Sequence, residues 1–359
     1  MGHAKYYLGF NLTPLIGPVR LRRLLEYFGD PETAWEASPE ALCRAGLEEA
    51  CIAKLVEARS RLDLEAELAR VQALGVRLLT WEDEAYPERL RHIYAPPPLL
   101  YLRGSLRRNE PMVALVGTRR PTAYGRQVAR MLARELARNG VTVVSGLALG
   151  IDTEAHLGAL EAGGRTVAVL GNGLDQVYPL RNRELAARIA ACGALLSDYP
   201  LGTLPEPRNF PPRNRIISGL SLGVVVVEAG ERSGALITCD FAAEQGREVF
   251  AVPGSILSPA SRGCHDWILQ GARLVRGVED ILEELRLDRV LGHEEVRQVV
   301  PESPVEAALL GVLTAEPMHV DEVGEAAGLP MPVVSSTLTL MELKGLVRQV
   351  GGMQYVRAV

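Results

Sequence analysis

The chain has 359 residues, enough for two or three domains with buried cores, and its 47% hydrophobic and 23% charged content is ordinary for a globular protein. A net charge of −5 excludes a general polyanion binder, and the longest apolar runs, such as Val224 to Val227, are far too short to span a membrane. No secretion leader is read at the N-terminus, and Cys43, Cys51, Cys192, Cys239 and Cys264 lie scattered without a Cys-x-x-Cys pair, which points to the cytoplasm and away from disulfides or zinc.

Taken in chain order, residues 5 to 60 read as short helices broken by glycine. Leu21, Leu24, Leu25 and Phe28 keep a helical apolar spacing, and Ser38-Pro39-Glu40 reads as an N-cap, a proline at N1 and an acidic first turn. The pattern resembles paired helix-hairpin-helix units of a SAM-like domain over residues 1–62. The Gly-x-Gly form of a backbone-gripping hairpin is missing, so packing is the expected role. A helix at Leu62 to Leu74 and a strand at Val76 to Leu79 follow, and Ala95-Pro-Pro-Pro98 with Leu99 to Leu102 bridges into the next domain.

From Met112 to about Leu287 strands and helices alternate. Strands are expected at Val113–Val116, Val141–Ser145, Thr166–Leu170, Ala194–Ser197, Leu222–Val227 and Glu248–Val252. They are apolar along their length, as in a parallel sheet covered on both faces. This predicts an α/β fold with a central doubly wound, Rossmann-like domain over 63–287 (core 112–287), whose ligands belong at the C-terminal ends of the strands. An acidic linker is expected at 288–302 and a winged-helix domain at 303–359. In that tail six acids outnumber three bases, and its third helix, Pro332 to Lys344, has one base, at its end. A duplex-reading helix normally brings Arg or Lys to the phosphates, so a protein-contact or packing module is expected.

The motifs narrow the chemistry. Lysine occurs only at Lys5, Lys54 and Lys344, so no P-loop exists to cradle a nucleoside triphosphate; the arginine bias itself needs no more than genome composition. Gly171-Asn-Gly173 lacks the third glycine of the dinucleotide fingerprint and follows the wrong strand. Four glycine-marked turns follow strands: Gly117-Thr118-Arg119-Arg120, Ser145-Gly146 to Asp152, Gly171-Asn-Gly173, and Gly230 to Ser233-Gly234. In a parallel sheet they share one rim, and backbone N–H groups there, with a helix N-terminus after Gly117, favour an anion. From Val113 to Gly140 six arginines face one glutamate, a local net of +5.

A second basic element, Phe210-Pro-Pro-Arg213-Asn214-Arg215, sets an aromatic ring beside two arginines. By spacing alone two readings stand: a grip on single-stranded nucleic acid, or arginines paired with carboxylates such as Glu228 or Glu206. Arg126, Arg130, Arg134 and Arg138 fall at i, i+4 spacing, a solvated face by default with backbone steering as the second reading. His156 and Cys264-His265-Asp266 lack a full ligand set or triad spacing and read as structural. The rim is rich in donors and cations and poor in bases, which favours binding over catalysis; no cofactor, metal or catalytic residue is expected.

Several segments together resemble the DNA-processing protein A family (DprA, also called Smf). They are Val116-Gly-Thr-Arg119, Ser145-Gly-Leu-Ala-Leu-Gly-Ile-Asp152, Gly171-Asn-Gly-Leu-Asp-Gln-Val-Tyr-Pro179, Phe210 to Ser221, Glu228-Ala with Ser233-Gly-Ala-Leu-Ile-Thr238, and Gly246 to Gly254. The resemblance spans about Tyr86 to Ile281. It implies a non-catalytic homodimer, joined through the Rossmann-like domain, that binds and protects incoming single-stranded DNA in natural transformation and loads the RecA recombinase onto it. The DNA contacts it implies fall on Gly117, Thr118, Arg119 and the Phe210/Arg213/Arg215 element, with Arg181 in a loop where the basic position varies. Arg120, Gly146, Gly173, Asn214, Ser233 and Gly234 complete the candidate rim. Gly263-Cys-His265 departs from the Gly-Thr-Asn common in relatives. The alternative is a Rossmann-like nucleotide hydrolase similar to lysine-decarboxylase-like phosphoribohydrolases, although Glu228 to Gly234 lacks their glycine-rich form. A scaffold whose arginines meet an acidic protein is a third reading.

Overall fold

The computed structural model describes residues 2–287, 303–314, 317–343 and 346–357; the expected linker, 288–302, lies outside them. The chain divides into two compact units, Met1–Ile281 and Leu282–Val359.

The first unit opens with helices Ala4–Leu12, Pro18–Phe28, Pro31–Glu36, Pro39–Arg44, Glu49–Arg61 and Leu64–Ala73. Their starts are set by local chemistry: Asp30 and Ser38 accept the N–H groups of Thr33 and Ala41, and prolines occupy the first turns that follow. Gly46, at φ +83°, makes the tight turn between the fourth and fifth helices. Phe10 meets Trp35 edge-on at 5.2 Å, and these apolar residues share one core with Leu99, Tyr101 and Leu195 of the sheet. A polar seam reinforces the join: Asn11 donates to the Asp198 carbonyl at 3.1 Å and accepts from the Tyr101 hydroxyl at 2.9 Å.

The sheet has nine strands: β1 (Arg77–Thr80), β2 (Leu99–Gly104), β3 (Met112–Gly117), β4 (Thr142–Ser145), β5 (Thr166–Val169), β6 (Ala194–Ser197), β7 (Gly223–Glu228), β8 (Glu248–Ala251) and β9 (Arg273–Leu274). Their order is β1-β2-β6-β5-β4-β3-β7-β8-β9. β3 to β9 are parallel, and β1 and β2 extend the sheet antiparallel beside β6. Every strand expected from Val76 onward is present within a residue or two. Leu99–Leu102, read as a bridge, is instead the buried heart of β2.

Helices cover both faces. Ala114, Val116, Val224 and Val226 pack with Ile216, Ile217 and Leu220 of helix Phe210–Leu220 and with Cys239 and Ala242 of helix Leu236–Glu244. Residues between them in the strands point to the other face, where helices Ala123–Arg138 and Ile151–Glu161 pack together. After β3 the chain winds out through β4, β5 and β6, then returns to lay β7, β8 and β9 on the other side of β3. The strand order therefore reverses between β3 and β7, which opens a crevice at their C-terminal ends.

The second unit, described by itself, has helices Pro304–Val312, Val320–Ala327 and Met331–Leu343 and a three-stranded sheet of β10 (Met318–His319), β11 (Val347–Gly351) and β12 (Gln354–Arg357), in the order β10-β12-β11. Leu309, Val323, Val334, Leu338, Met341 and Tyr355 form its core. This is the expected winged helix. The exposed positions of its third helix, among them Val333, Ser335, Ser336, Thr339 and Leu340, are uncharged, and Lys344 lies outside the described residues.

Candidate nucleic-acid interface

At the reversal point β3 ends on Gly117, where a Cβ would stand 2.6 Å from Ile151 Cγ1 and 2.8 Å from the Glu228 carbonyl. Only glycine lets the loop pass. The next residue locks it: Thr118 N–H donates to Glu228 O at 2.7 Å, and Ile151 N–H donates to Thr118 O at 3.2 Å. Helix Ala123–Arg138 then begins under Thr122, whose hydroxyl accepts the Gly125 N–H at 3.1 Å. The buried Glu228 side chain receives the Thr122 N–H at 2.8 Å and its hydroxyl at 2.6 Å. The expected anion seat at this helix start is thus filled by the protein's own carboxylate. Arg119 and Arg120 stay exposed at the mouth, with no ion pair among the described residues.

The facing wall starts at helix Phe210–Leu220, with Pro211 and Pro212 in its first turn. The Phe210 ring has the Arg119 guanidinium 5.3 Å from its centroid and the Arg213 guanidinium at 5.8 Å, and Tyr178 stacks on it at 5.9 Å and 28°. Arg213 is 4% exposed. Its guanidinium donates to Gly146 O at 3.0 Å, to Val169 O and to Asn214 Oδ1 at 3.2 Å, so it ties the ends of β4 and β5 to the helix. Burial pulls its pKa down to about 10, against the attraction of Asp152. Burial likewise raises the Asp152 carboxyl, opposed by Arg213 and by N–H donors from Ala148 and Gly146. A Cβ on Gly146 would stand 2.7 Å from the Arg213 guanidinium, which accounts for the glycine.

These walls enclose a cleft of about 550 Å³. Of the sequence-chosen residues Gly117, Thr118, Arg119, Arg120, Phe210, Arg213, Asn214, Ser233 and Gly234 line it, and Gly146 borders a smaller pocket that shares Arg119, Phe210 and Arg213. Gly173 packs against Pro200 O and Leu201 outside the cleft, and Arg181 is exposed on the turn Leu180–Asn182 outside it as well.

Arg215 needs a correction. Its guanidinium lies 2.6 Å from Asp198 Oδ2 and donates to Ala95 O at 2.8 Å, away from the cleft. Residues two apart on a helix point about 200° from each other, so Arg213 and Arg215 cannot serve one ligand. The carboxylate reading holds for Arg215, with Asp198 as partner in place of Glu228 or Glu206. The arginine row keeps its default reading as a solvated face, with ion pairs and a carbonyl contact along it. Arg130 lies 3.0 Å from Glu154 and 3.4 Å from Glu161 on the neighbouring helix, Arg138 lies 2.8 Å from Glu135, and Arg126 donates to Pro121 O. Two acids distant in sequence, Glu154 and Glu161, offset part of the local +5.

Sequence reasoning passed over Tyr178 and Asp152. Both stood in quoted segments: one as the aromatic before Pro179, the other as the lone acid closing a glycine-rich apolar stretch. Asp152 is the only carboxyl lining the cleft among the described residues. The structural readings elsewhere fit their surroundings. Cys264 is buried, which pushes its thiol up to about 11, and His265 meets Gly254 O at 3.1 Å. His156 is buried with Nδ1 2.7 Å from Thr166 Oγ1, and burial pushes its pKa from 6.5 down to about 3. Between these values the unfolded chain carries a proton on this ring that the folded chain does not, so stability falls as pH drops from 6.5 toward 3. His156→Gln is expected to flatten that loss in urea midpoints taken from pH 7 to 4. A constant gap between variant and wild type would contradict it.

A doubly wound sheet with a switch-point cleft, arginines set against an aromatic ring, and a winged helix in the same chain define a Rossmann-like protein with an appended winged-helix domain. The family model described as DNA recombination-mediator protein A matches residues 77–286, and the DprA winged helix domain matches 293–353. The chain is 38% identical to Protein Smf of Synechocystis sp. over 98% of each chain. It is 46% identical to DNA processing protein DprA of Bacillus subtilis over 61% of this chain and 74% of the relative. The X-ray structure of DNA processing protein A from Streptococcus pneumoniae is similar at a TM-score of 0.70 and 38% identity, over 78% of this chain and 97% of that one. A structure describing the single-stranded DNA binding mode of DNA processing protein A from Helicobacter pylori is similar at 0.53 and 31%, over 59% and 97%. The chain belongs to the DNA recombination-mediator protein A family, DprA or Smf, as its motifs predicted.

Proposed function

We propose that this chain binds single-stranded DNA in the cleft between β3 and β7, protects it, and loads a RecA recombinase onto it, as a cytoplasmic homodimer and without cleaving the strand. The observation that carries the reading is the Phe210 ring with Arg119 over it and Tyr178 stacked on it, at a mouth where Arg119 and Arg120 have no ion-pair partner among the described residues. Splayed bases stack on such rings while guanidinium groups take the phosphates, and a duplex hides its bases from them. The Helicobacter pylori relative's single-stranded DNA binding mode supports the ligand. The reading without catalysis is supported by the lone cleft carboxyl, Asp152, held by two backbone N–H groups beside Arg213. Exposed Ile256, Leu257 and Leu269, on the segments around β8 and β9, support self-association through this domain.

The test is oligo(dT) against duplex at several salt concentrations. Wild type should prefer the single strand with a steep salt slope. Arg119→Ala should weaken binding and make the log–log slope shallower by about 0.7 for one lost phosphate contact. No preference for the single strand would overturn the reading, and release of free base from a nucleoside monophosphate would favour the hydrolase. RecA filament assembly on oligo(dT), with and without the chain, tests the loading step.

A further inference from the structure

One part of the cleft lining carries no charge. It is the loop Ser233-Gly234-Ala235 and the first turn of helix Leu236–Glu244. This helix has no side-chain cap. Leu236 and Thr238 direct their N–H groups back to Ser233 O and Ala235 O, and Ala235 N–H reaches Ser233 Oγ at 3.4 Å. The N–H groups of Gly234 and Ile237 meet no acceptor among the described residues. Space is open above Gly234. A second, independent observation lies in the same turn. Thr238 is 1% exposed and lines the cleft, yet its hydroxyl has no hydrogen-bond partner among the described residues. A hydroxyl at a cleft surface that no protein group meets is open to water or to a ligand. Helix Ala123–Arg138 differs: Glu228 already occupies that helix start, whereas no side chain among the described residues caps this one.

We propose that Thr238 and the Gly234 and Ile237 N–H groups form an uncharged phosphate subsite. It shares the cleft with Arg119 and the Phe210 ring, so that one bound nucleotide unit would meet the arginine, the ring and the helix start. The donors would meet the phosphate oxygens, and the helix dipole favours the negative charge. The phosphate belongs to the next unit of a bound strand or to a free nucleoside monophosphate. The strand source rests on the function proposed above; the monophosphate source does not.

The full chain tests it with two probes, labelled oligo(dT) and thymidine 5′-monophosphate, on wild type, Thr238→Val and Thr238→Ser. Thr238→Val keeps the shape and removes the hydroxyl, so affinity for at least one probe should fall by about tenfold. The salt slope for oligo(dT) should not change, because a neutral contact releases no counterion. Thr238→Ser should restore most of the loss, and Thr238→Ala serves if the valine variant does not fold. Loss on oligo(dT) assigns the subsite to the strand, and loss on the monophosphate alone assigns it to the free nucleotide. Unchanged affinity for both probes overturns the proposal, and so does a loss that comes with a shallower salt slope, since the arginine wall would then be what moved. If wild type ignores oligo(dT) but binds the monophosphate through Thr238, the strand-binding reading fails and the subsite stands.

Discussion

Asp198→Ala is expected to lower the stability of the folded chain by up to about 3–5 kcal/mol, the cost of breaking a buried ion pair from one side, less what solvent screens at a pair 15% and 17% exposed. Asp198 directly follows β6. One carboxylate oxygen lies 2.6 Å from the Arg215 guanidinium, and the other is buried without a hydrogen-bond partner. Burial raises the Asp198 carboxyl, opposed by the charge of Arg215. Take the carboxylate away and Arg215 keeps a cation in a largely buried site, with the Ala95 carbonyl as its remaining side-chain partner among the described residues. Because that unpaired charge is the main cost, Asp198→Leu with Arg215→Met should recover most of the loss. Urea midpoints of wild type, Asp198→Leu, Arg215→Met and the double variant form the cycle that checks this. Equal losses in single and double variants would show that the pair is not the source.

Phe210→Ala should weaken oligo(dT) binding by about 1–3 kcal/mol, the range for removing one base–aromatic stack. Two effects act in the same direction. The ring is the stacking surface, and it also holds the Arg119 guanidinium, 5.3 Å from its centroid, over the cleft. Phe210→Trp keeps a flat π-face and should retain most of the affinity, whereas Phe210→Leu keeps volume without the face and should lose nearly as much as alanine. Stacking releases no counterion, so the salt slope should stay close to wild type, unlike that of Arg119→Ala. Anisotropy titrations at two salt concentrations separate the effects. A loss below twofold would leave Phe210 a packing residue against Tyr178 and Gly171.

The parts of the fold legible in the sequence are those whose cause is local. β3, β4, β5, β7 and β8 are buried on both faces and so read as continuous apolar runs. The winged helix was legible for the same reason, from helical periods followed by Gly351-Gly352. β2 is just as buried, but it follows a proline run and pairs antiparallel with β6, so nothing nearby in the chain announced its place. Site residues divide in the same way. The Gly117 turn, the Phe210 ring and the Ser233-Gly234 loop stand at strand ends or a helix start, and sequence patterns locate those.

What the sequence could not assign was the partner of each charge. Arg213 and Arg215 look equivalent in the chain, yet one braces the cleft through the Gly146 carbonyl, 67 residues away, and the other pairs with Asp198, 17 residues away. Glu228 fills the start of a helix 106 residues before it, and Glu154 and Glu161 pair with Arg130 of another helix. The sequence by itself determined a doubly wound sheet, a glycine-marked rim at its strand ends and the family. Only the tertiary structure decided which cations remain open to a ligand. Backbone propensity and apolar period act over a few residues, whereas a Coulombic or hydrogen-bonding partner is whatever packing brings within about 3 Å.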